Sequence, residues 1–377
     1  MIFLKKRKKR EKTEQDNNLY SALSHRQLIW IQFKKHKLAQ ISLTLLALFY
    51  FIAIFCEFFA PYRLGDRHAK YTYFPPQDVH FFDENGFNFR PFVYGVKRTI
   101  DKKTFQKIYE EDKTKKYPIR LFARGNTYKL WGLFETDIHL FGVDKQGSIF
   151  LLGTDRMGRD LLSRIIYGAR ISLSVGIIGV LLSLIIGLFL GGISGYLGGI
   201  WDIVIQRVVE ILRSFPTIPL WMALGAAVPP EWSPVLVYFG ITVILSFMGW
   251  TGVARVVRSQ LLSLREQDFV MAAKVSGATD GYIIRRHLIP GVFTYIIVHL
   301  TLAIPWMILA ETSLSFLNIG LRPPVTSWGV LLKEAQAVTT VTLYPWIITP
   351  AAAVIVAVLA FNFVGDGLRD AADPHRH

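Results

Sequence analysis

Ile171-Ser-Leu-Ser-Val-Gly-Ile-Ile-Gly-Val-Leu-Leu-Ser-Leu-Ile-Ile-Gly-Leu-Phe-Leu-Gly-Gly-Ile193 carries no charged side chain from end to end. A run of ~20 apolar residues, rising ~1.5 Å each, matches the ~30 Å hydrocarbon thickness of a bilayer. The block therefore reads as a membrane-spanning helix. Within it and just beyond, Gly187, Gly191 and Gly195 recur every four residues. That is the small-xxx-small pattern by which two membrane helices bring their backbones together, and it marks a helix-packing face.

The rest of the chain repeats the block pattern. Of its 377 residues 51% are hydrophobic, the mean hydropathy is +0.33, and the apolar residues come in long runs rather than in the stripes of a soluble helix. Spans are expected at about Ala39 to Ala60, Ile171 to Ile193, Phe215 to Val228, Val235 to Val253, Gly291 to Ala310 and Pro345 to Val364. The third is short and holds Pro216 and Pro219. The fold class expected is an all-α integral membrane protein of about six transmembrane helices.

Charge orients the spans. The formal net charge is +15, and the basic residues lie before and between the apolar blocks, where topology signals and anionic lipid would put them. That distribution argues against nucleic acid as a partner. Lys34, Lys35 and Lys37 precede the first span, and residues 254–290 hold Arg255, Arg258, Arg265, Lys274, Arg285 and Arg286 against Glu266, Asp268 and Asp280. Both stretches are expected inside, as are a tail over residues 1–38 and a second over 365–377. The Lys5–Arg10 run is followed by polar sequence to Gln32 and no apolar stretch of a cleaved signal. Cys56, the single cysteine, has no internal disulfide partner.

Residues 61–152 differ in composition, rich in Tyr, Phe, Asp, Lys and Pro. They are expected as an insertion outside the membrane, of mixed or irregular structure, with short strands and turns at Tyr71–Tyr73 and Phe87–Tyr94. Its aromatics Tyr71, Tyr73, Phe74, Phe81 and Phe82 suit either a partner interface or a small local core. Residues 153–170 read as an amphipathic helix in the membrane interface, with Leu161, Leu162, Ile165 and Ile166 at helical spacing beside Arg156, Arg159 and Arg164. A core of 153–364 follows.

The inside segment carries the most specific pattern. Asp268-Phe-Val-Met-Ala-Ala-Lys-Val-Ser-Gly277-Ala278 is followed, after nine residues from Gly277, by His287-Leu-Ile-Pro290. Asp268 can cap a helix whose next turns hold Met271, Ala272 and Ala273. Ala273 and Gly277 share a face on which a partner could approach the backbone, while Val270, Met271 and Val275 offer apolar contact. Gly277 either ends the helix at positive φ or lies within it.

This segment resembles the Glu-Ala-Ala loop of permeases of binding-protein-dependent ABC importers. Ala272, Ala273, Gly277 and Pro290 fall in register; Met271 stands at the family's Glu, and His287 and Ile289 replace Ile and Leu. Further stretches are similar to the DppC/OppC-type subunit of the dipeptide and oligopeptide group: Gly153-Thr-Asp-Arg-Met-Gly-Arg-Asp160, Tyr167-Gly-Ala-Arg170, Glu311-Thr-Ser-Leu-Ser-Phe-Leu317, Pro323-Pro324, Trp328-Gly329, Asn362-Phe-Val-Gly-Asp-Gly-Leu-Arg-Asp370 and Asp373-Pro374. The likeness covers 30–62 loosely and 150–374 closely; residues 63–150 exceed the usual connection.

The resemblance implies the type I ABC importer (MetI-like) permease fold in the cytoplasmic (inner) membrane of a bacterium or archaeon. It implies a second, DppB/OppB-like permease, two ATPase subunits docking on 254–290, an extracytoplasmic solute-binding protein, and peptides or oligosaccharides as cargo. ATP-Mg belongs to the ATPases; no Gly-Lys dipeptide, and so no Walker A phosphate loop, occurs in this chain. No His/Cys grouping has metal-ligand spacing and no nucleophilic triad is evident. The competing class is a secondary transporter or channel, whose marker would be intramembrane ionisable residues; the only acids of the expected spans are Glu57 and Glu311, each at an edge.

Overall fold

A computed structural model describes residues 25–84, 86–100, 102, 107–144, 146–229 and 231–372. Most of the expected N-terminal tail, the Asp373-Pro374 pair and Pro230 lie outside the described residues.

Helix α1 spans His25–Lys35 and α2 Lys37–Ile54. Ala60 is extended before Pro61 (φ −80°, ψ 127°), as a pre-proline residue prefers, and the chain leaves the helical path there. Helix α3, Leu161–Leu197, is a single run of 37 residues. Asp160 caps it by accepting from the Ser163 amide at 2.7 Å, and Gly198 at φ +68° ends it, a conformation open to glycine. Helix α4 is Gly199–Ser214, α5 Thr217–Ala226 and α6 Pro234–Arg265. Ser233 caps α6 with Pro234 in its first turn, where a missing N–H costs nothing. Helix α7 is Asp268–Val275, α8 Ile289–Phe316, α9 Trp328–Leu332 and α10 Thr349–Ala372. Asn318 at φ +65° turns the chain after α8.

Among the described residues five helical stretches are individually long and apolar enough to cross a membrane: Lys37–Ile54, Leu161–Leu197, Pro234–Arg265, Ile296–Phe316 and Pro345–Ala372. Only 22% to 39% of their most apolar windows is buried within the protein, so most of that apolar surface faces outward, which suits lipid and not water. The expected third span is corrected. Phe215 to Val228 contributes only the ten-residue α5, about 15 Å of helix. Helices α4 and α5 act in series: Asp202 pairs with Arg258, Val209 packs with Ala254 and Trp250, and Trp221 packs with Ile241 and Leu245. The pair thus runs antiparallel to α6 along most of its length. Asp202, Arg207 and Glu210 interrupt the apolar pattern of α4 and hide it from a hydropathy reading.

The expected interfacial helix over 153–170 is also corrected. Residues 153–160 form a loop, and 161–170 continue without a break into the span. Arg159 and Arg164 do not face water. Asp155 Oδ2 accepts from Arg159 Nε at 2.6 Å and from Arg164 Nη1, and Arg164 is buried.

Between α2 and α3 the insertion is built of strands: β1 His80–Asp83, β2 Gly86–Ile100, β3 Lys107–Pro118, β4 Arg120–Leu130 and β5 Phe134–Gly142. The first three form one antiparallel sheet in sequence order and the last two a separate hairpin. Phe87–Tyr94 lies in β2 as expected, though the strand is longer, and Tyr71 ends a short helical turn instead of a strand. Phe74 and Phe150 are buried with ring centres 5.6 Å apart, and Tyr73 stacks on Tyr344 at 4.0 Å. These aromatics make a local core, whereas Phe81 and Phe82 stay exposed. The 153–160 loop is seated on that core: Tyr73 donates to the Asp155 carbonyl and Thr154 to that of Phe74.

Helices α3 and α6 meet along the glycine row. A Cβ on Gly187 would lie 2.5 Å from Val253 Cβ, on Gly191 2.5 Å from the Ala254 carbonyl oxygen, and on Gly195 2.9 Å from Leu261 Cβ. Gly192, one residue away, has open space around it. Gly191→Leu is expected to cost several kcal/mol, beyond the ~1–3 kcal/mol of ordinary overpacking, because the obstacle is backbone. Gly192→Ala should leave the thermal midpoint of the detergent-solubilised protein unchanged. Equal midpoints for the two variants would refute this packing.

Candidate docking site

The segment from Glu266 to Pro290 joins the ends of two spans. Gln267 precedes helix α7, and its carbonyl accepts from the amides of Val270 and Met271. Its side chain makes no capping bond, and Asp268 is the first helical residue and not the cap expected. A carboxylate there still complements the positive end of the helix. The Ser276 hydroxyl donates to the Ala272 carbonyl at 2.8 Å. Gly277 then takes φ +78°, and the Ala278 amide donates back to the Ala273 carbonyl at 3.0 Å. Of the two placements left open for Gly277, the structure has the helix-ending one, with nothing within 4 Å of a would-be Cβ. Thr279 caps the next turn, Asp280–Ile283, and a wide turn over Ile284–Leu288 leads into α8, with Pro290 in its first turn.

Burial divides the segment into an anchor and a free face. Val270, Ile283 and Leu288 are fully buried and pack with Val253, Val257 and Leu261 of α6 and Val292 and Ile296 of α8. Ala273 and Ala278 are half-buried against the same cluster. The sequence reading had put Val270 and Ala273 toward a partner; both turn into the protein's own core. The free face consists of Phe269, Met271, Ala272, Val275 and Ser276, with Val275 87% exposed. His287 is half-buried, its ring 5.7 Å from Phe269 and 5.9 Å from Tyr282. Tyr196, at the end of α3, donates to Asp280, and Lys274 Nζ lies 5.9 Å over its ring. The segment is thereby tied to α3, α6 and α8 together.

Sequence reasoning missed three polar groupings around this arrangement. Arg258 pairs bidentately with Asp202, Nε to Oδ1 at 2.5 Å and Nη2 to Oδ2 at 2.6 Å, fixing α4 against α6. At the opposite end of α8, Glu311 is not at an edge but fully buried. Its Oε1 accepts from Ser315 at 2.7 Å and Ser327 at 2.6 Å, and its Oε2 from Ser172 at 3.2 Å. Glu57 pairs with Arg170 at 2.6 Å for both oxygens. Each of these two acids is held by polar partners within the protein. The spacing Ser172, Glu311, Ser315, Ser327 offered no local signal, since the four come from three distant stretches.

A set of outward-apolar helices, with an exposed apolar knuckle anchored at the end of two of them, defines a multi-pass membrane protein. The family described as binding-protein-dependent transport system inner membrane component matches residues 161–377, and the N-terminal TM domain of oligopeptide transport permease C matches residues 24–76. The dipeptide transport system permease protein DppC of Lactococcus lactis is 33% identical over 94% of this chain and 91% of that protein. The oligopeptide transport system permease protein OppC of Haemophilus influenzae is 43% identical over 59% of this chain and 69% of its own length. A chain of the inward-facing MetNI methionine ABC transporter is 19% identical with TM-score 0.46, covering 57% of this chain and 99% of that one. This chain belongs to the binding-protein-dependent transport system inner membrane component family, and is a DppC/OppC-type permease subunit of an ABC importer. Such permeases work with a partner permease, a binding protein and separate ATPase subunits that hydrolyse the ATP.

Anchor and free face are separable by mutation. Val270→Ser should lower stability by about 1–3 kcal/mol, since it strips buried apolar surface and buries a hydroxyl. Val275→Ser should leave the thermal midpoint within error. A Val275→Ser protein as unstable as Val270→Ser would show that the knuckle is not free.

Proposed function

We propose that this chain forms, with a DppB/OppB-like second permease, the path by which peptides delivered by a solute-binding protein enter the cell, and that its ATPase partners dock on α7. Oligosaccharides are the second cargo class of the same group. The observation that carries the docking role is the rigid placement of an exposed apolar knuckle, Phe269, Met271 and Val275, at the junction of α6 and α8. An amphipathic helix with one face anchored and the other bare suits a groove on a partner. The peptide class is supported by the names of the relatives. This chain holds no nucleotide; ATP-Mg is used in the partner subunits.

We place both termini and the 254–290 loop in the cytoplasm and the 61–152 insertion outside. The Lys and Arg excess of 254–290 supports this, as does the position of the insertion at the opposite end of α3 from Tyr196.

Two measurements test the reading. Gly277→Leu is expected to abolish co-purification of the ATPase subunits or solute uptake in reconstituted vesicles. Its cause would be backbone strain at φ +78°, about 1–2 kcal/mol for a residue with a Cβ. Gly277→Asn, which tolerates that conformation, should retain most of both, and Ser276→Ala should resemble the parent. Wild-type behaviour of Gly277→Leu would remove α7 from the docking role. For topology, a cysteine at the exposed Thr127 in a Cys56→Ser background should react with an impermeant maleimide in intact spheroplasts. Labelling only after lysis would invert the assignment.

A further inference from the structure

The β4–β5 hairpin carries more exposed apolar surface than a solvated turn warrants. At its tip Trp131, Leu133 and Phe134 are 48%, 75% and 63% exposed. Of the three, Trp131 stands beside the end of α2. Trp131 Nε1 donates to the Ile54 carbonyl at 2.8 Å, and its ring lies 5.2 Å from Phe55. Farther along the hairpin Phe122 approaches Phe58, ring centres 6.1 Å apart. Ile54 is the last residue of a spanning helix, so the hairpin tip sits at the level where that helix leaves the hydrocarbon.

A second observation fixes what lies against the tip. Trp131 overhangs a cleft of about 380 Å³ between α2 and α3, lined by Tyr50, Ile54, Leu173, Ile177 and Ile178. Ile177 and Ile178 lie within the span of α3, about two turns below Arg170. Ile54 both lines the cleft and belongs to the outward-facing apolar side of α2, where it and Phe51 are exposed. Its rim is polar: Arg170 donates to the carbonyls of Ala53 and Ile54 at 2.9 and 2.7 Å while paired with Glu57. An apolar floor under a charged and indole-bearing rim is the layering of a bilayer boundary, where Trp and Arg side chains concentrate.

We propose that the β4–β5 hairpin is a membrane-seated element, its Trp131, Leu133 and Phe134 tip immersed in the lipid interface and the cleft beneath Trp131 filled by a phospholipid acyl chain. The occupant is bilayer lipid, because the cleft opens onto the lipid-facing surface of two spans. The hairpin thereby adds a membrane contact to the seat that the insertion has on the 153–160 loop. Which leaflet receives the tip follows from the topology proposed above; the depth of the tip does not.

The test uses the complete permease–ATPase complex in liposomes, with Cys56→Ser and a single nitroxide-labelled cysteine at Leu133. A second label at Phe89, 93% exposed on the other sheet, is the aqueous control. Power-saturation electron paramagnetic resonance should show the Leu133 label more accessible to molecular oxygen than to a nickel chelate, and the Phe89 label the reverse. A Leu133 label as open to the chelate as Phe89 would overturn the proposal. Shielding of Leu133 from both reagents would overturn it too, in favour of a protein partner. Phe134→Cys repeats the measurement if Leu133→Cys fails to co-purify with the ATPases.

Discussion

Inside a bilayer, apolar side chains gain nothing by leaving lipid for one another, so helices hold together by close backbone packing and by polar contacts. In this chain the first falls on α3 and α6. Gly187, Gly191 and Gly195 bring α3 against the backbone of Trp250, Ala254 and Arg258, closer than any side chain permits. That approach sets where α6 ends, and the end of α6 sets where α7 is presented. It also brings Arg258 within reach of Asp202, so the charged residues of α4 are paired against α6.

The polar contacts concentrate at the other end. Glu311 gathers hydroxyls from α3 (Ser172), α8 (Ser315) and the start of α9 (Ser327), and those hydroxyls accept in turn from the amides of Trp328, Leu321 and Val330. A buried carboxylate is tolerated only with such partners. Here the partners are also helix caps and loop amides, so one acid orders the whole 317–330 connection. The Asp155, Arg164 and Glu334 cluster does the same for the loop leading into α3. The insertion core rests directly on that loop, through Gly158 and Asp155.

Much of this was legible in the sequence. Long uncharged blocks gave the spans, because lipid demands them, and the four-residue glycine repeat gave the α3 packing face. The candidate docking segment was marked by the spacing of Ala272, Ala273, Gly277 and Pro290. What stayed hidden has a common cause. The polar residues of α4 broke the apolar run although each is answered by a distant partner, and Arg159 and Arg164 read as surface residues although Asp155 buries them. Val270 and Ala273 were assigned to the wrong face because an eight-residue helix repeats too few times to show which side is anchored. Ion pairs and anchors between distant stretches leave no periodic trace.

The two ends of the structure are joined by α8. Near its start Leu288, Val292 and Ile296 pack with α6 and the docking segment; near its finish Glu311 and Ser315 bind α3 and the loop before α9. Between these fixed ends stands Pro305, which has no amide to offer the carbonyl of Thr301 and crowds it sterically. The Thr301 hydroxyl donates to the Val298 carbonyl at 2.9 Å. An uninterrupted helix pinned at both ends resists bending as one rod, whereas a missing hydrogen bond midway lowers the cost of changing the angle between its halves. A bend at Pro305 would fall between the two sets of pinning contacts and would leave both the Leu288–Ile296 anchor and the Glu311 cage intact.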